Sequence, residues 1–121
     1  MTDDELEPIF ASDLAGEVRR EFNGRVLDFG VPVPLATRDV LGAFRDLLAD
    51  PHEGPVVFLA LAALQYKVGR LMPFIRETAL DLIRTGEAKR AYASTDPNVS
   101  QQRRKLLAAF EAALEAADVV E

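Results

Sequence analysis

Apolar residues recur at helical spacing almost from one end of this chain to the other. Phe10, Leu14, Val18 and Phe22 stand four apart and predict a first amphipathic helix. Val26 and Phe29 prolong its stripe, and Gly30 serves as a left-handed terminator. Glu17–Arg20 and Glu21–Arg25 are favourable neighbours on its surface. Gly24 weakens the extension, and an alternative makes residues 25–29 a short strand after an Asn23-Gly24 turn. The helix is the preferred reading.

Val31-Pro32-Val33-Pro34 reads as a stiff connector, because two prolines remove two donors and push their predecessors to extended geometry. Pro34 as first residue, or Thr37 as N-cap, opens the next helix. Val40, Leu41, Phe44, Leu47 and Leu48 give it an apolar face. The segment Asp50 to Pro55 ends that helix and starts the third, with Pro55 as a natural first residue. Residues 55–68 are apolar nearly all round, which places this helix at the centre of a bundle.

Gly69 caps the central helix and Pro73 restarts the chain. Leu71, Ile75, Ala79, Leu82 and Ile83 stripe the fourth helix, which Gly86 closes. The short connector makes 55–68 and 73–85 an antiparallel hairpin. Residues 89–94 add a ragged turn, and Asp96-Pro97 or Ser100 begins the last helix. Its buried face is Leu106, Leu107, Phe110, Ala113, Leu114 and Ala117. The pattern thus predicts one all-α domain over 1–121, of about five helices, with residues 1–7 as a candidate disordered segment.

Composition narrows the chemistry. With 121 residues the chain has the size of one domain. It has no Cys, which excludes disulfides, thiol catalysis and Cys-based metal sites. The longest apolar run, Val56 to Leu64, is too short to span a bilayer. The start Met1-Thr2-Asp3-Asp4-Glu5 is acidic, unlike a secretory signal. A cytoplasmic protein without membrane association is expected.

The net charge of −6 is unevenly spread. Residues 1–55 carry twelve acids and five bases, a net of −7, and residues 56–121 carry a net of +1. Nine bases and four acids fall between Lys67 and Lys105. Either the acidic first half docks on the basic helices of the same chain, or the molecule presents two charged binding surfaces.

Catalytic constellations are not supported. The single His, His52, lies in a Pro- and Gly-rich loop, and there is no Gly-x-Ser-x-Gly elbow. Asp50, His52 and Glu53 are a thin metal-ligand set, so neither a metal nor a cofactor is expected. Glu77/Asp81 and Glu115/Asp118 have the spacing of Mg²⁺-binding carboxylates but read as solvated helix faces. The helix pair around Gly69 superficially has a helix-turn-helix layout. Its second helix, however, opens on Leu71-Met72-Pro73-Phe74-Ile75, and a chain of −6 repels phosphates, so nucleic acid is not an expected partner. Gln65 stands out, since its amide needs partners inside the most apolar helix.

The block Asp50-Pro51-His52-Glu53-Gly54-Pro55, Leu59-Ala60-Leu61-Ala62, Gln65, Gly69-Arg70-Leu71, Ala79-Leu80, Ile83 and Gly86 resembles a family of small uncharacterised bacterial proteins. Phe10, Asp13, Ala15, Val18-Arg19 and Ala36-Thr37 fit the order of its N-terminal part, so the resemblance runs over residues 9–115. The family's Trp-Gly opening is missing, Phe58, Tyr66 and Tyr92 stand where Trp is expected, and the proline connector replaces a polar helix start. The resemblance implies a compact bacterial domain and transfers no activity. It draws attention to Glu53, Gln65 and Arg70, whose structural role would be to fix the turns at both ends of the central helix.

The functional expectation is a non-enzymatic protein-interaction module, immunity- or regulator-like, that engages a protein partner or itself. The alternative is a small-molecule binder or enzyme with a pocket around Gln65, Tyr66 and Arg70. Glu53, Gln65, Tyr66 and Arg70 are therefore the candidate ligand or partner residues.

Overall fold

The computed structural model describes residues 1–120, whose regular elements are all helices joined by short turns and loops, with no strand among them. Seven α-helices are present among them: α1 (Asp3–Leu6), α2 (Asp13–Asn23), α3 (Val33–Ala43), α4 (Glu53–Lys67), α5 (Pro73–Arg84), α6 (Glu87–Ala91) and α7 (Pro97–Ala116). The expected five is therefore a miscount. The two extra helices are the short ones, α1 and α6, which carry too few residues to show a period.

The central helix stands where its composition puts it. Eleven of the fifteen residues of α4 are buried, and α2 and α5 are its main neighbours. It begins at Glu53 rather than Pro55 because Asp50 supplies the N-terminal acceptor: its Oδ1 takes the N–H of His52 at 2.8 Å and of Glu53 at 2.9 Å. Gly54 makes this tight entry possible, since a Cβ there would overlap the Leu48 carbonyl oxygen. At the far end Gly69 takes φ +68°, the left-handed conformation expected of a terminator.

Three boundaries differ from the sequence pattern. Residues 1–10 are packed rather than detached: Thr2 and Glu5 form a reciprocal capping box, and Leu6, Ile9 and Phe10 are buried. Phe10 lies in a 3₁₀ turn (Glu7–Phe10), and Ser12 caps α2 afresh through Ala15 N–H at 3.2 Å. The second predicted helix begins at Val33, inside the supposed connector, and stops at Ala43. Leu47 and Leu48 fall in and after a 3₁₀ turn and are only partly buried, while Val33, Ala36, Thr37 and Val40 form the buried face.

The third difference bears on function. Residues 24–28 continue α2 as a π-helical turn, so they are helix and not strand. A π turn holds more residues than an α turn, and the stripe slips out of phase there. Val26 stays half-buried, but Leu27 is 62% and Phe29 83% exposed. Phe29 therefore does not extend the core stripe.

The chain's later part closes the core from the other side. Tyr92 is buried and its hydroxyl donates to the Ile9 carbonyl at 3.1 Å, which ties α6 to the 3₁₀ turn. Burial pushes the Tyr92 hydroxyl above the usual phenol range, so it stays a neutral donor. Leu107, Phe110 and Leu114 seat α7, and Val120 N–H bonds the Leu71 carbonyl at 2.7 Å. No helix among the described residues is long and apolar enough to cross a membrane.

Candidate interaction surface

The four candidate residues do not share a site. Glu53 and Gln65 are separated along α4 by about 18 Å of helix. Gln65 is fully buried and its polar groups are already used: Oε1 accepts Met72 N–H at 2.9 Å, and Nε2 donates to Thr37 Oγ1 at 2.7 Å. It thereby staples α3 and the entry of α5 to the end of α4. Thr37 is its buried partner and not an N-cap.

Tyr66 packs edge-on against Phe110, and its hydroxyl accepts from the Met1 amino group at 3.0 Å. Arg70 is exposed and reaches only the Gly69 carbonyl, at 3.3 Å. The nearest concavity to Arg70 is an open one against Pro32, Val33, Pro34 and Met72, and neither Gln65 nor Tyr66 lines it. Of the trio Glu53, Gln65 and Arg70, only Gln65 fixes a turn through its side chain. Asp50 does that work at the other end. His52 is exposed beside it, and no three metal-ligating side chains come together among the described residues.

Charge placement is more informative. Glu7–Arg19, Glu21–Arg25, Asp39–Arg25 and Asp39–Arg38 pair within the first half. Glu77–Arg76, Glu111–Arg84 and Glu115–Arg84 pair within the second. No ion pair among the described residues crosses between them. The halves meet through packing of α2 on α4 and a few hydrogen bonds (Gln65–Thr37, Tyr92–Ile9 and Met1–Tyr66), with Lys67 Nζ 5.4 Å from the Phe10 ring centre as a cation–π contact across the divide. The intramolecular docking of acidic on basic half, open in the sequence, is therefore not how the chain is held together.

Asp3, Asp4, Asp13, Glu17 and Asp28 are consequently exposed without ion pairs. At the end of this acidic unit the π turn lifts Leu27 and Phe29 into solvent. An exposed aromatic with a charged surround is the composition of an interface anchor with its rim. Comparison with protein-family models, curated proteins and solved structures yields no match.

Proposed function

We propose that this chain is a non-enzymatic interaction module, immunity- or regulator-like, whose acidic first half engages a basic protein. The observation that carries the reading is the exposed Leu27–Phe29 pair at the π-helical turn, with the unpaired Asp28 between them and Arg20, Glu21 and Arg25 beside Phe29, on a half whose remaining acids no basic residue of the second half neutralises. An apolar side chain of that size loses its contact with water only when a partner covers it. Asp28 and the other unpaired acids of the first half would steer a basic surface toward this half of the molecule. π turns recur at functional positions, which supports the same placement. The bacterial and cytoplasmic assignment rests on the resemblance of residues 50–86 and on the cysteine-free composition.

Affinity capture from the native host at low salt tests the reading, with wild type beside Phe29→Ser. A basic polypeptide held by wild type and lost from Phe29→Ser is expected. Capture of the chain's own copies alone, or equal capture by both, contradicts it.

A further inference from the structure

Methionine is scarce in this chain, with Met1 and Met72 the only two. Met72 stands at the junction that Gln65 staples. It is the N-cap residue of α5, in extended geometry, and its N–H donates to Gln65 Oε1 at 2.9 Å. A backbone N–H can only donate, so this bond fixes which end of the amide is oxygen. Both hydrogens of Nε2 are then placed, one on Thr37 Oγ1 at 2.7 Å and the other on Met72 Sδ at 3.4 Å. The bond to Thr37 is the one side-chain hydrogen bond between α3 and α4 among the described residues.

Gln65 and Thr37 are closed off from water, whereas Met72 is only half-buried. It lines an open concavity of about 230 Å³ with Pro32, Val33, Pro34, Arg70 and Val120. A thioether sulfur has two lone pairs, and among the described residues only Gln65 bonds this one. Met72 thus connects a concavity that small solutes can enter to a fully buried hydrogen-bond network.

We infer that Met72 is a reversible oxidation site for a small hydroperoxide, and that its sulfoxide unlatches α3 from α4. A sulfur lone pair attacks the terminal peroxide oxygen. The S–O bond forms as the O–O bond breaks, and the proton of the transferred oxygen passes to the departing one. Sulfur is oxidised by two electrons and the hydroperoxide is reduced to water or an alcohol. The product is a polar group against proline and valine side chains. Its oxygen is a stronger acceptor than the thioether sulfur and competes with Thr37 Oγ1 for the Gln65 amide. The inference is independent of the acidic surface and stands or falls separately from it.

The test treats the folded ¹⁵N-labelled chain with hydrogen peroxide and locates the added oxygen by peptide mass mapping. Oxygen at Met72 is expected, with shifts of the Thr37 amide and the Gln65 side-chain amide and a melting temperature lower by about 4 °C. Methionine sulfoxide reductases A and B together should restore both. Met72→Leu keeps the volume but has no sulfur at the junction, so peroxide should leave its melt and its Thr37 amide unmoved, although Met1 remains. Oxygen found only at Met1 of the folded wild type overturns the inference without recourse to a variant. So do a Met72 sulfoxide that leaves the melt and the Thr37 amide unchanged, and a Met72→Leu chain that responds to peroxide as wild type does.

Discussion

Gln65 links sequence and structure at the scale of one residue. An amide inside an apolar helix needs partners, and it finds them in a hydroxyl of α3 and a backbone N–H at the start of α5. Gln65→Leu keeps the volume but strands Thr37 Oγ1 and Met72 N–H, and should cost about 2 kcal/mol in a denaturant titration. Gly54 is the second such residue. Ala is the better helix former by about 1 kcal/mol, yet a methyl there drives into the Leu48 carbonyl. Gly54→Ala should lose about 1–3 kcal/mol of stability, and a variant as stable as wild type contradicts the close approach. Asp50 is the third. Its bonds to the N–H groups of Glu53 and His52 hold its carboxyl below its ordinary value of 3.8. A lowered folded-state pKa means that the contribution is present above that ordinary value and fades as pH falls through the folded one. Asp50→Ala should therefore melt below wild type at pH 7, and the gap should close on acidification below about pH 4.

At the scale of the element, short helices and phase slips escape periodicity. The central helix, the glycine terminators at 30, 69 and 86 and the all-helical class are legible because each rests on a long pattern or on a residue type with one physical use. Thr2-x-x-Glu5 carries capping-box spacing, but a single helical turn offers no stripe to confirm it. The wide turn at 24–28 depends on tertiary packing, so the pattern continues through Phe29 while the backbone turns it outward. The candidate site is less legible for the same reason. Gln65 is correctly singled out as a buried amide needing partners, whereas Tyr66 and Arg70 lie beside it in sequence and face elsewhere in space. The N-terminal segment gives this scale its prediction. Leu6, Ile9 and Phe10 are buried, and three large side chains at about 1.5–3 kcal/mol each rival a small domain's whole stability. A chain beginning at residue 11 should lose its cooperative thermal transition in calorimetry. A truncated chain that melts like wild type contradicts the placement of α1 and the 3₁₀ turn.

For the whole molecule, charge is distributed but not used to join the halves. The first half carries −7, its ion pairs are internal, and it meets the second half by packing and hydrogen bonds with no ion pair among the described residues. Exposed pairs of this kind contribute at most about 1 kcal/mol each, while uncompensated like charges on one side oppose compaction. Salt should then relieve more repulsion than it removes attraction. The consequence for function is direct, because an acidic surface not spent on the chain's own basic helices is available to a partner. The most direct test is the melting temperature at pH 7 from about 0.01 M to about 0.5 M sodium chloride, a range over which the screening length falls from about 30 Å to a few ångströms. A melting temperature that stays level or rises with salt is expected, and one that falls steadily would show that the two halves hold each other by charge.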